Sequence, residues 1–167
     1  MQQIISKGDI SIYKDLSNAV KNSKINQFIL DAQMSDLSPL IGDLFFFDVM
    51  NNLTNPEYQE LLNGCKFTFN GVEIEHLGLK RVLVEFAWGR YTYFGGFNDS
   101  PFGNVIKTTP HSTPTGNNDR RDIWKQSRQM ANDYFKTVKY YLSVSDFSKC
   151  EFTNSQSSSN FNISKII

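Results

Sequence analysis

The chain has 167 residues, with 17 basic and 17 acidic side chains and no formal net charge at neutral pH. This length is typical of one domain that builds its own core. The balanced charge argues against a dedicated nucleic-acid binder, because such proteins need several cationic contacts to phosphate.

The cysteines and the first residues indicate where the protein is made and kept. Cys65 and Cys150 follow no metal-ligand spacing, and Met1 precedes a short apolar run that lacks the basic segment of a signal peptide. The sequence has no stretch of about 18 apolar residues, as a membrane-spanning helix needs. We therefore expect free thiols in a reducing cytosol, no metal or other cofactor, and no membrane partner.

The charges are unevenly distributed along the chain. Residues 1–64 carry four lysines and eight acidic residues, whereas residues 119–149 carry seven basic and four acidic residues. An acidic end and a basic end would suit head-to-tail self-association. A solvated surface of uneven charge explains the same pattern, so both interpretations stay open.

Short helices are predicted in the first part of the chain. Residues 1–20 are ambiguous between a short strand and an extended arm. Apolar residues at helical spacing predict a helix over 24–36. Ser38-Pro39 and Asn55-Pro56 are both typical helix starts, with a capping side chain followed by proline. The second of these helices is short and is expected to end at Gly64.

Three consecutive phenylalanines, Phe45, Phe46 and Phe47, lie in the helix that starts at Ser38. Successive helical residues point in widely different directions, so the three rings cannot share one face. At least one ring must therefore point away from the core, toward another element or another chain.

From residue 65 the apolar residues recur at every second position rather than at helical spacing. Residues 65–75 alternate around Asn70-Gly71, which is the strongest short-range signal of a β-hairpin. A lone hairpin is marginally stable, so we expect this one to pack on a helix or on a neighbour's hairpin. Residues from about 76 to 94 are apolar round most of a helix, which predicts a buried central helix. Glu85 and Arg90 are its charged exceptions. We expect them to lie at the rim of the buried face or to form an ion pair between subunits.

Residues 97–118 show no pattern of helix or strand, and loops of this length are usually functional or disordered. The last helix is predicted over about 120–143, and a Ser/Asn-rich tail follows over 146–167. Its apolar residues suit a strand added to a partner's sheet or groove, and equally a disordered tail. They are Phe152, Phe161, Ile163, Ile166 and Ile167.

These elements predict a mainly α fold, a bundle of four or five helices with one β-hairpin and extended N- and C-terminal arms. Residues 1–145 would form a single domain that contains the hairpin and the long loop. Residues 146–167 would form a flexible tail.

Residues with catalytic potential are few. His76 is predicted to be a surface or capping residue, and His111 lies in a loop without a partner. No local pattern places a cysteine beside either histidine. Glu73 and Glu75 point to the same side of a strand, where paired carboxylates can do acid–base work, although a solvated hairpin face explains them better. We expect no enzymatic activity.

Arg120 and Arg121 begin the last helix, where they could contact phosphate. The helix dipole disfavours cations at this end. We prefer Asp119 as the N-cap, with the arginines paired to Asp122 or to a neighbouring chain.

Several short motifs occur in an order that resembles one family. They are Asp31-Ala32-Gln33, Leu40-Ile41-Gly42-Asp43, Tyr58-Gln59-Glu60-Leu61-Leu62-Asn63-Gly64, Gly78-Leu79-Lys80-Arg81-Val82-Leu83 and Ser100-Pro101-Phe102-Gly103, followed by the Arg-rich last helix. Over residues 20–145 the chain resembles the head–tail connector proteins of tailed bacteriophages. These are head-completion or neck adaptor proteins, and the resemblance is greatest to the crAss-like group.

The resemblance implies a structural virion protein, present in the host cytoplasm during assembly. It would form a homo-oligomeric ring of about twelve copies below the portal protein. The ring would continue the DNA channel, contact DNA only as it passes, and offer a face to further neck or tail proteins. Two alternatives remain, a small monomeric protein-binding module and a small hydrolase that uses Glu73, Glu75 or His76.

The predicted contacts with neighbouring copies or the portal come from the phenylalanine run, the long loop, the start of the last helix and the tail. They are Phe45, Phe46, Phe47, Asp99, Ser100, Pro101, Phe102, Arg120, Arg121, Phe152, Phe161, Ile163, Ile166 and Ile167.

Overall fold

The structure, a computed structural model, describes residues 2–100, 103–106, 116–145 and 147. Its helices are α1 (Lys7–Tyr13), α2 (Asn22–Ala32), α3 (Ser38–Ile41), α4 (Asp43–Asn51), α5 (Pro56–Asn63), α6 (Gly78–Phe94) and α7 (Asn117–Val144). A π-helical turn, Gln33–Leu37, joins α2 to α3. The strands are β1 (Cys65–Phe69), β2 (Val72–His76), β3 (Phe97–Ser100) and β4 (Gly103–Ile106). The prediction of a mainly α fold with a β-hairpin is confirmed.

Helix α6 is the centre of the fold. It packs along α7 and also contacts α1, α2 and α5. Leu79, Val82, Leu83 and Val84 are fully buried, so apolar side chains leave α6 in several directions. Burial round so much of the circumference is what the apolar residues on most sides of this segment predict.

The N-terminal segment, predicted as a strand or an arm, folds as α1 and packs on the core. Ser6 caps α1 by accepting a hydrogen bond from the Asp9 amide, and the Asp9 side chain bonds back to the Ser6 amide. Before the helix, the Ile4 amide donates to Oε1 of Gln33 at 2.8 Å. These capping residues and buried Ile5 and Ile10 fix the segment.

The hairpin of β1 and β2 pairs Phe69 with Val72 across the turn. Asn70 and Gly71 both have positive φ, as a tight two-residue turn requires. The hairpin lies on α7, where the Phe67 ring meets the Tyr141 ring edge-on at 5.5 Å. The expectation that the hairpin packs on a helix therefore holds within one chain.

A second antiparallel pair, β3 with β4, lies in the segment predicted as a long loop. Each strand has only four residues, and Asn, Asp, Ser and Gly dominate them. In such short, polar segments the sequence pattern of a strand cannot be distinguished from that of a loop.

Within the described residues, no helix combines the length and apolarity needed to span a membrane.

Candidate functional site

The three phenylalanines of α4 have different environments. Phe45 and Phe46 are buried in the core, whereas Phe47 is 47% exposed. Leu44 is 89% exposed and lies one turn before Phe47, so the two side chains share a face. We call this pair, Leu44 and Phe47, the α4 patch. One ring does point away from the core, as predicted, and the other two belong to the domain's own packing.

Phe147, which follows α7, packs on α4 and α5. Its ring meets Phe45 at 5.7 Å and Tyr58 at 4.9 Å, in both cases edge-on. Edge-to-face pairs at these distances stabilise beyond the area they bury. The end of α7 is therefore fixed against α4 and α5.

A groove runs between α5, β1 and the end of α7, which we call the α5–β1 groove. Tyr58 and Glu60 line it from α5, Phe67 and Thr68 from β1, and Tyr141 and Val144 from α7. Glu57 and Phe147 also border it. The groove thus combines aromatic rings with two acidic side chains.

Cys65 and His76 come together beside this groove. They are direct partners across the hairpin, and Sγ of Cys65 lies 3.3 Å from Nε2 of His76. The Gly78 amide donates to Nδ1 of His76 at 3.2 Å, so Nδ1 is an acceptor and Nε2 carries the proton. No local pattern indicated this pair, because strand pairing brings together residues that are eleven apart in sequence.

The burial of His76 also differs from the sequence prediction. The side chain is fully buried and stacks on Tyr141, with ring centroids 4.4 Å apart. The Tyr141 hydroxyl in turn donates to Glu60 at 3.1 Å. The surface or capping role predicted for His76 is wrong, because the hairpin folds its last residue against α7.

The electrostatics of this cluster hold both groups neutral. Burial lowers the pKa of His76, although the Glu60 carboxylate opposes the shift. Burial raises the pKa of the Cys65 thiol, and the nearby Glu60 raises it further. A reactive cysteine needs a depressed pKa and a nearby positive charge. The arrangement is therefore that of a structural hydrogen-bonded pair rather than of a nucleophile and base.

Glu73 and Glu75 lie on an exposed face of the hairpin. Glu73 is 3.8 Å from Lys66, and both side chains are largely in solvent. Within the described part of the chain, no group of three or more His, Cys, Asp or Glu side chains is placed to hold a metal ion.

Arg120 is buried and interacts within the chain. Its guanidinium donates to the backbone carbonyls of Thr92 at 3.0 Å and of Tyr93. These carbonyls belong to the last turn of α6, where the helix dipole favours a cation. Arg121 is exposed. The expectation of Asp119 as the N-cap is wrong, since α7 starts earlier and has Gly116 as its cap.

Two buried carboxylates each meet two bases. Asp36, in the π-helical turn, pairs with Arg90 at 2.5 Å and with Arg128. Glu85 lies 2.8 Å from both Lys14 and Arg81. The rim or inter-subunit pairing predicted for Glu85 and Arg90 is therefore replaced by ion pairs within the domain. Sequence indicated the charges but not these pairings, which apart from Arg81 with Glu85 on α6 join different elements.

The remaining predicted contact residues cannot be placed on this surface. Pro101, Phe102, Phe152, Phe161, Ile163, Ile166 and Ile167 lie outside the described residues, as do the side chains of Asp99 and Ser100.

Comparison with protein families identifies a match over most of the chain. Residues 37–161 match a family described as a family of unknown function, DUF6712. No curated protein and no solved structure matches the chain.

Proposed function

The chain belongs to the family of unknown function DUF6712, and from its sequence and surface we propose that it is a structural assembly protein. Its role would be that of a ring-forming neck adaptor between the portal and the tail of a bacteriophage virion, without enzymatic activity. The ring would continue the DNA channel.

The observation that carries this proposal is the α4 patch. Leu44 and Phe47 stand side by side in solvent on a helix whose other apolar residues anchor it to the core. The Phe47 ring is held edge-on against buried Phe46 at 5.4 Å, so it has a defined position before any partner binds. Rigid exposed aromatic and aliphatic side chains are typical of contact sites, because ordering them costs little on binding.

The charge distribution supports a head-to-tail contact. The segment 1–64, which carries an excess of acidic side chains, includes α4 and α5. The segment 119–149, which carries an excess of basic side chains, includes most of α7. A contact between the acidic segment of one copy and the basic segment of the next would generate a ring when the rotation between copies closes. The zero net charge also suits a channel through which DNA slides, since it limits phosphate binding.

The test is the mass of the full chain in solution, measured by light scattering after size exclusion, with and without the cognate portal protein. We expect a ring of about twelve copies, or a stable complex with the portal. Leu44→Asp should abolish this association. A monomer that ignores the portal at every concentration would contradict the proposal.

Ile12→Asp provides a matched control. Ile12 is 71% exposed on α1, so the substitution adds the same charge to another largely exposed aliphatic side chain outside the patch. We expect it to leave association unchanged. Equal loss from both variants would show that added charge, rather than the α4 patch, prevents assembly.

A monomeric protein-binding module is the second candidate, and the α5–β1 groove favours it. A groove of rings and carboxylates beside strand β1 suits a single extended ligand. This candidate predicts a one-to-one complex with a partner and no ring.

A further inference from the structure

The outer edge of β1 is available for another strand. In a hairpin with a two-residue turn, the residues that flank the turn, Phe69 and Val72, exchange backbone hydrogen bonds. The bonded pairs then alternate along the strand, so Lys66 and Thr68 direct their N–H and C=O groups away from β2. Within the described residues, no other backbone group bonds to these two positions. Thr68 places this edge on the α5–β1 groove.

The side chains beside this edge define what could bind there. Phe67 faces α7, and the rings of Tyr58, Tyr141 and Phe147 line the same groove. Glu57 and Glu60 supply negative charge along the α5 side. An occupant should therefore be an extended segment with apolar residues at every second position and at least one cation.

Residues 161–167 of this chain have that pattern. Alternation would bring Phe161, Ile163, Lys165 and Ile167 to one face of a strand. Lysine can pack its methylene stem beside apolar neighbours while its ammonium reaches a carboxylate. Glu57 and Glu60 are the carboxylates in reach of such a strand.

The chain length allows the contact within one molecule. Phe147 borders the groove, and thirteen residues, 148–160, separate it from Phe161. These residues belong to the tail that the sequence predicts to be flexible, and a flexible peptide of this length spans on the order of 20 Å on average. The tail of the same chain is therefore present at an effective concentration on the order of millimolar, well above that of another copy in dilute solution.

We propose that the α5–β1 groove is the docking site for the chain's own residues 161–167, which add to β1 as a third strand. The added strand would bond to the outward N–H and C=O groups of Lys66 and Thr68. It would cover the rings of the groove and pair Lys165 with Glu57 or Glu60. This docking does not depend on ring formation or on the portal.

The test is amide hydrogen exchange of β1 in the full chain. We expect Ile163→Asp to make the Lys66 and Thr68 amides exchange about tenfold faster or more, because an aspartate cannot enter the apolar groove. Ser164→Asp is the matched control, since it adds the same charge one residue later on the opposite face. It should leave the exchange of both amides unchanged. Equal exchange in the wild type and Ile163→Asp would overturn the proposal.

A second variant tests the strand edge itself. Thr68→Pro removes the outward N–H without breaking a bond to β2, and it should release residues 161–167 to rapid proteolysis. Thr68→Val keeps the N–H and should retain protection. If circular dichroism shows that the proline variant is unfolded, the exchange measurement on Ile163→Asp decides alone, since residue 163 follows the predicted domain of residues 1–145. Protection of the β1 amides must also survive tenfold dilution, and its loss would assign the tail to a second copy and overturn docking within one chain.

Discussion

Individual charged residues join the helices of this protein. Asp36 and Glu85 are buried carboxylates, and each pairs with two bases, at least one of which comes from another element. Arg81 also lies over the Tyr13 and Tyr134 rings, at 4.3 and 4.8 Å from their centroids. A buried charge is tolerated only when its partners are in place. These side chains therefore specify how α1, α6, α7 and the π-helical turn meet.

Asp36→Asn should destabilise the fold strongly. The substitution keeps the size of the side chain and removes the charge that Arg90 and Arg128 share, leaving two cations close together. We expect a loss of about 3 kcal/mol in the free energy of unfolding, measured by urea titration. Asp133→Asn, which removes an exposed pair with Lys136 on α7, should cause no measurable change. Equal effects of the two variants would contradict a structural role for the Asp36 ion pairs.

His76 should make stability depend on pH. Burial lowers its pKa in the folded state, so the unfolded chain binds the proton more readily. Above the pKa of His76 in the unfolded chain, about 6.5, the residue has no effect on stability. As pH falls from there toward the lower pKa of His76 in the folded state, the free energy of unfolding decreases. His76→Gln should flatten this part of the curve of unfolding free energy against pH. His111→Gln replaces the other histidine, and a similar flattening by it would refute the assignment.

At the scale of elements, the connection between α5 and α6 depends on two glycines. Gly64 ends α5 and Gly78 begins α6, both with positive φ. A Cβ on Gly64 would lie 2.4 Å from the His76 carbonyl oxygen, and one on Gly78 would lie 2.4 Å from that of Leu62. The backbones on either side of the hairpin thus cross in close contact. This crossing positions the hairpin against α7 and brings Cys65 to His76.

Gly78→Ala should therefore lower the stability of the fold by more than backbone strain alone would. The positive φ costs about 1 kcal/mol for an alanine, and the backbone contact adds to it. Gly71→Ala gives the reference value, because Gly71 has a similar φ of 80° and nothing within 4 Å of its Cβ position. Thermal unfolding should show a larger loss of stability for Gly78→Ala than for Gly71→Ala. Equal losses would mean that the backbones of α5 and α6 can move apart at this contact without destabilising the fold.

Several elements could be predicted from local chemistry. The Asn70-Gly71 turn and the Asn55-Pro56 start of α5 occur where sequence places them, because a turn or a cap is decided by adjacent residues. The short helix α1 and the pair β3–β4 could not be predicted. Their stability depends on packing and pairing with other parts of the chain rather than on their own pattern.

At the scale of the whole molecule, α6 links most of the other helices into one core. Its buried side chains meet α1, α2, α5 and α7. Removing any of these helices would expose a face of α6 to water. The helical domain is therefore expected to unfold as one unit.

Two tryptophans allow this cooperativity to be measured. Trp88 lies on α6 and Trp124 on α7, so their fluorescence reports on the central pair of helices. We expect thermal unfolding followed by tryptophan fluorescence to coincide with unfolding followed by far-ultraviolet circular dichroism. Separate transitions would show that α1 to α5 unfold independently of α6 and α7.

The sequence by itself determined the mainly α class, the first hairpin and the burial of α6, because apolar period and turn residues encode them locally. It also determined that one ring of Phe45 to Phe47 must face outward. Only the tertiary structure decided that this ring is Phe47 and that Arg120 bonds to α6. It also decided that Cys65 meets His76 and that Asp36 joins Arg90 and Arg128. Each of these depends on where distant segments come together, and contacts between distant segments are fixed by packing of the whole chain rather than by any local pattern.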